Sequence, residues 1–179
     1  MAGVLGLVAV GLSGCLSEPS YSNTPSISFE SIRRVRYTIS GSPVDSVFLT
    51  INFQDGDGDL GVTAAEAGAA PYSTRYRGAN FYVTPFLKNS ITNRFDSLKT
   101  LRPDLTLTKS SYYDRFDHLS TTTDNRASPL RGTITRAYRF DYGDQYLPNQ
   151  EAQFTISIVD RALHQSNEVT STSILFPPF

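Results

Sequence analysis

The sequence predicts an all-β fold, a single immunoglobulin-like sandwich of about seven strands. Three observations point there. Aromatic residues make up 12% of the chain, all of them Tyr and Phe, and Ser and Thr are abundant. Aromatic and β-branched side chains suit a pleated, half-buried surface. Apolar and polar residues alternate with period two in segment after segment, which marks strands with one buried face. Long stretches rich in Leu, Glu and Lys, the usual material of helices, are missing.

The elements follow in order over a domain placed at residues 25–179. Ile27 and Phe29 open a first strand that continues through Tyr37 and Ile39. Arg33, Arg34 and Arg36 fall on it and read as a solvated face. Val47, Leu49, Ile51 and Phe53 line one side of a second strand, with Phe48, Thr50 and Asn52 on the other. Residues 63–70 suit one helical turn before Pro71. Residues 81–87 form a third strand, in which Pro85 signals an edge or a bulge because it lacks an N–H for the ladder. Shorter strands are expected near 105–107 and 112–116. Ile134, Tyr138 and Phe140 mark a strand from about Arg131. Phe154, Ile156 and Ile158 mark the clearest late strand, and residues 169–176 close the domain. The expected core is Leu49, Ile51, Phe53, Ile134, Phe154, Ile156 and Ile158. No repeat and no second-domain boundary is visible.

Ahead of the domain, residues 4–12 are apolar except for Gly6 and Gly11, and no charge precedes Glu18. A bilayer span needs about 20 apolar residues, whereas the hydrophobic core of a secretory signal runs about 7–15. The run ends in Leu12-Ser13-Gly14-Cys15, which resembles the lipobox of bacterial lipoproteins. The layout departs from the usual one in carrying no Lys or Arg ahead of the apolar run. The expectation is a signal peptide over 1–14, cleaved before Cys15, with a diacylglycerol on that thiol. Residues 15–24 are then the acylated cysteine and a flexible tether, polar, proline-bearing and too poor in apolar residues to pack. Cys15 is the only cysteine, so the domain contains no disulfide, and acylation removes the exposed thiol. This places the chain in the cell envelope, lipid-anchored at the outer membrane. A net charge of −1 offers no field for a phosphate backbone, which argues against nucleic acid.

The most informative local feature is Gln54-Asp55-Gly56-Asp57-Gly58-Asp59-Leu60-Gly61. Carboxylates on alternate residues, spaced by glycines that let the backbone curl, suit a hard cation such as Ca²⁺. Glu66 falls in the twelfth place counted from Asp55, where an EF-hand carries its bidentate glutamate. Leu60 occupies the place of the invariant glycine, however, and a strand precedes the loop rather than a helix. The alternative is a solvated acidic turn whose aspartates cap backbone N–H groups. Phosphate cradling is excluded because the acids would repel the anion. In an immunoglobulin-like sandwich the loop after the second strand and the loop before the last strand emerge at one end. That adds Asp160 to Asp55, Asp57 and Asp59 as a fourth candidate ligand. A competing reading uses no metal: Arg161 crosses the gap and pairs with a loop aspartate.

Catalytic constellations are not found. His118 and His164 stand far apart and in no metal-ligand spacing. Gly-x-Ser-x-Gly does not occur after Cys15. None of the 17 acids forms a pair in a context that suggests unequal pKa values. Tyr72, Tyr76, Tyr112 and Tyr113 lie in loop-like segments. They are either a contact surface for a glycan or protein or ordinary packed tyrosines. Two function classes remain. One is a non-enzymatic binding or structural module, stiffened by Ca²⁺ and partnered by an envelope protein or glycan. The other is an envelope enzyme, such as a glycan hydrolase, with its acids at one end of the sandwich.

The stretch from Phe53 to Gly61 also resembles the signature of a family of uncharacterised Bacteroidota lipoproteins. Residues 80–88, 129–134 and 154–167 are similar to the later pattern of that family, so the resemblance covers nearly all of the chain after Cys15. It implies an envelope lipoprotein with an immunoglobulin-like fold and lends no catalytic residues.

Overall fold

The computed structural model describes residues 20–101, 107–119, 128–141 and 146–178. Leu12, Ser13, Gly14, Cys15 and Leu105 lie outside the described residues. The elements in chain order are β1 (Ser26–Ile39), β2 (Ser42–Asp55), α1 (Ala64–Gly68), α2 (Tyr72–Tyr76), β3 (Phe81–Lys88), β4 (Phe95–Ser97), β5 (Lys99–Leu101) and β6 (Leu107–Lys109). They continue with β7 (Tyr112–Asp114), β8 (Leu130–Asp141), β9 (Gln150–Ile158), β10 (Val169–Thr170) and β11 (Ile174–Phe176).

The two longest strands form a hairpin, β1 pairing β2 from Ser26↔Gln54 to Ile39↔Ser42 with one irregularity between Phe29 and Ser31. β8 pairs the other side of β2 and completes a three-stranded antiparallel sheet. The second sheet has the order β10-β9-β3-β4, with β11 also on β9 and β7 also on β3. β5 and β6 form a separate two-stranded ribbon. Apart from that ribbon, three strands build one layer and six the other, against about seven expected in all. β1, β2 and β8 in one sheet, facing β3, β9 and the closing strands in the other, is the strand distribution of an immunoglobulin-like sandwich.

Between the layers lie Val47, Leu49, Ile51 and Phe53 of β2, Ile134, Tyr138 and Phe140 of β8, Phe81 and Val83 of β3, and Phe154, Ile156 and Ile158 of β9. All seven residues expected inside are buried.

Four expectations change on the structure. Pro85 is in an interior strand, not at an edge. Phe154 opposite it turns both its N–H and its C=O away, to Ser171. Pro85 therefore faces the gap where β7 ends and β4 begins, and there its C=O accepts the Leu98 N–H at 2.9 Å. The closing strand is two pieces, because the Ser171 side chain takes the Phe154 N–H at 3.0 Å, a place a ladder carbonyl would fill. Arg34 and Arg36 are not a solvated face. They stand opposite Val47 and Asp45 on the inner side of β2 and donate to the buried Asp45 carboxylate. Finally, Tyr72 and Tyr76 belong to α2 rather than to a loop. Contact with the domain also begins ahead of Pro25, since the Ser22 C=O accepts the Gly56 N–H at 2.8 Å.

Candidate metal centre

Period-two alternation along β2 puts Asp45, Val47, Leu49, Ile51, Phe53 and Asp55 on one face. Asp55 therefore leaves the strand pointing into the sandwich, and it is fully buried. Its Oδ2 accepts the Asp59 N–H at 3.0 Å, so the carboxylate closes the turn of its own loop. Leu60 then drops into the core with no exposed surface, and Gly61 follows at φ +94°. A Cβ at Gly61 would lie 2.2 Å from the Asp117 C=O, so both the conformation and the space require glycine.

Asp160 arrives from the other sheet, just beyond β9, and is also fully buried. Its Oδ1 accepts the His164 N–H at 2.7 Å, and its Oδ2 meets His164 Nδ1 at 3.0 Å. The loops are tied together by backbone donors. Ala162 N–H donates to Asp59 Oδ2 at 2.9 Å, and Arg161 N–H to the Asp59 C=O at 3.3 Å.

The outcome is that Asp55, Asp59 and Asp160 each bring one carboxylate oxygen within 4.8 Å of the others. Oδ1 of Asp55, Asp57 and Asp59 are buried and have no protein hydrogen-bond partner. Burial pushes Asp55 up to about 7, helped by the charges of Asp57, Asp59 and Asp160. Asp59 rises to about 6, again chiefly through burial, with Asp160 and Asp57 adding repulsion. Asp160 is raised by burial despite its bonds from His164. His164 is raised by the hydrogen bond and charge of Asp160.

Unpaired buried carboxylates are costly unless protonated or matched by a cation. Oxygens sharing one Ca²⁺ at 2.3–2.6 Å lie at most about 5 Å apart, so the observed spacing fits such an ion. The donor set is all oxygen and the loop is rich in glycine. That suits Ca²⁺ better than Mg²⁺, which demands near-ideal octahedral geometry.

Of the four candidate ligands the structure brings Asp55, Asp59 and Asp160 together, with Asp57 beside them as a source of repulsion on Asp55 and Asp59. Among the described residues the Arg161 guanidinium makes no direct hydrogen bond to a loop aspartate and donates to the Gly61 C=O at 3.4 Å, although its charge still acts on Asp59 and works against the rise of that carboxyl. Glu66 departs from the EF-hand place altogether. It caps α1 in a reciprocal box with Thr63 and pairs with His118 at 2.7 Å. Burial works against its charge, but the Thr63 and His118 bonds outweigh that and take it down to about 2.

The tyrosines divide. Tyr72 and Tyr76 donate to the C=O of Val159 and Leu163, Tyr112 packs on Tyr138 and Phe140, and Tyr113 is exposed beneath Arg77.

Two features escaped the sequence reading. His164 supports Asp160 from four residues on, and its signal was the Asp-x-x-x-His spacing after a strand. Asp45 is a buried acid whose signal was parity, since it continues the apolar face of β2. A scan against models of known protein families finds none that matches this chain, and a search of curated proteins finds no match either.

Proposed function

We propose that this chain is a membrane-anchored envelope lipoprotein whose sandwich is a non-enzymatic binding or structural module. In this reading Ca²⁺ fastens the 55–61 loop to the 160–167 loop at one end of the domain. The observation that carries the proposal is Asp55, fully buried with an unpartnered Oδ1 among the carboxylates of Asp59 and Asp160. The lipobox at Leu12, Ser13, Gly14 and Cys15, and the resemblance to Bacteroidota lipoproteins, support the anchor and the outer-membrane address.

The same burial speaks against glycan hydrolysis at this site. A glycosidase needs two carboxyl groups that flank a bound glycosidic bond, and Asp55 and Asp160 have no exposed surface on which a sugar could lie. The partner is then an envelope protein or glycan met elsewhere on the domain.

The test uses chelator-stripped full-length protein. Added Ca²⁺ should raise Tm, by about 2.7 kcal/mol of stabilisation when calcium is a hundredfold above its Kd, and Asp59→Asn, which removes one of the three converging carboxylates, should abolish the rise. Mass spectrometry should find an acylated Cys15 at the new N-terminus. A Tm indifferent to millimolar Ca²⁺ would remove the cation from the proposal, and a Cys15→Ala form that still partitions to membranes would remove the anchor.

A further inference from the structure

The segment that leads into β1 is held by both loops of the candidate cation site. Its first clamp is Gly56, between Asp55 and Asp57, whose N–H donates to the Ser22 C=O at 2.8 Å. The approach is close: a Cβ at Gly56 would lie 2.4 Å from the Tyr21 C=O oxygen. The Thr24 N–H then returns to the Ser22 hydroxyl at 3.1 Å, and Pro25 is buried. The second clamp is Asn167, at the far end of the loop that begins with Asp160. Its Oδ1 accepts the Ile27 N–H at 2.8 Å and its Nδ2 donates to the Ile27 C=O at 2.9 Å. One clamp therefore belongs to each of the loops whose carboxylates converge.

We propose that cation occupancy of the Asp55–Asp59–Asp160 site governs whether residues 21–25, ahead of the β1–β2 ladder that begins at Ser26↔Gln54, are docked on the domain, and so how far the domain reaches from its membrane anchor. This rests on the metal reading above. Without a cation the converging carboxylates lack a counter-charge, the loops rely on the backbone bonds from Arg161 and Ala162 to Asp59, and Gly56 and Asn167 hold their seat less firmly. With Ca²⁺ the carboxylates are drawn onto one centre and both clamps are set.

The geometric effect is large for a short linker. With Tyr21 docked, residues 16–20 separate it from Cys15, an extended reach of roughly 17 Å at about 3.4 Å per residue. With the segment released as far as Ser26, where the β1–β2 ladder holds the chain, residues 16–25 are available, and the limit rises to roughly 34 Å on the same arithmetic. A divalent cation would thus switch the module between a position close to the lipid surface and one able to meet a more distant partner.

Hydrogen exchange on the full-length protein, with CaCl₂ against chelator, tests this directly. The amides of Thr24, Ile27 and Gly56 should exchange at least tenfold more slowly with calcium, in step with the rise in Tm. Asn167→Ala, which removes a clamp and no carboxylate, should keep the calcium-induced rise in Tm and lose most of the added protection at Ile27. If calcium raises Tm while protection of Thr24, Ile27 and Gly56 stays unchanged in the wild-type chain, the docking inference is overturned and the metal site stands. If neither Tm nor exchange responds, the metal reading falls and takes the inference with it.

Discussion

Asp45 accepts hydrogen bonds from Arg34 at 2.6 Å, from Arg36 at 2.8 and 3.0 Å, and from the Tyr146 hydroxyl. Asp55, on the same face of the same strand, has one backbone donor and faces three further acids. Both are fully buried, so the contrast isolates the effect of neighbours. Burial opposes charge at Asp45, but the bonds from Arg36, Tyr146 and Arg34 outweigh it and hold the carboxyl below its ordinary range. At Asp55 the neighbours add to burial and the carboxyl reaches about 7. A folded pKa raised above the unfolded value of about 3.9 contributes stability that is complete below about pH 4 and lost as pH rises through about 7. In chelator, therefore, lowering the pH from 8 to 5.5 should raise Tm, by about 2–4 °C for each kcal/mol recovered in a domain of this size. Asp55→Asn should flatten that profile, and saturating Ca²⁺ should do the same by supplying the charge the proton supplied. A chelated wild-type domain whose Tm falls over that window would contradict the assignment of Asp55 as an unmatched acid.

At the scale of elements, β2 and β9 carry the fold, and their pattern was plain in the sequence. Ile156 has no exposed surface and sits between the layers, so Ile156→Ala should cost about 2–5 kcal/mol in denaturant unfolding, the range for truncating a buried aliphatic side chain. A cost below about 1 kcal/mol would mean that the interior there can collapse around the loss. The same alternation, followed one step beyond Val47 and Phe53 in each direction, reaches Asp45 and Asp55, and this is why the candidate site was half legible. Parity said which way Asp55 pointed, and topology said that Asp160 would meet it. Alternation counted from Ile27 and Phe29 puts Arg34 and Arg36 outside with Tyr37 and Ile39 inside, but the irregularity between Phe29 and Ser31 shifts the register and turns the two arginines inward, leaving Tyr37 and Ile39 exposed. Asp45 and Tyr146, the latter 101 residues from Asp45 in sequence, then match their charge. The remaining misreadings share a cause, which is that the partner is supplied by tertiary context. Pro85 is tolerated inside a sheet because its neighbours change at that point. The closing strand breaks because the Ser171 hydroxyl competes for a ladder position. Arg161 donates to the Gly61 carbonyl and reaches Asp59 through its charge alone.

Across the whole molecule, β2 has an acid at each end and each acid fastens a different part of the chain. At the Asp55 end the two loops seat residues 21–27. At the Asp45 end, Arg36 bridges the Asp45 carboxylate and the C=O groups of Pro177 and Pro178, at 2.8 and 2.7 Å, so the segment after β11 is tied to the β1–β2 hairpin. Ten residue-to-residue steps of extended strand separate Asp45 from Asp55, about 33 Å at about 3.3 Å per step. Sites more than about 10 Å apart with no shared partner contribute to stability additively, to within about 0.5 kcal/mol. The strand between them is one packed element, however, and a rigid spine is the kind of structure through which coupling would travel. The side-chain evidence favours independence, since Val47, Leu49, Ile51 and Phe53 lie in a single continuous core whose packing neither acid forms. Arg36→Ala should therefore lower stability and loosen residues 174–178 in hydrogen exchange, while leaving the calcium-induced rise in Tm intact. Asp59→Asn should abolish that rise and leave residues 174–178 protected. In saturating Ca²⁺ the double variant should lose the sum of the two single losses. A coupling energy above about 1 kcal/mol, well outside the additive range, would show that the two ends of β2 sense each other and that the cation acts on the whole sandwich rather than on one rim.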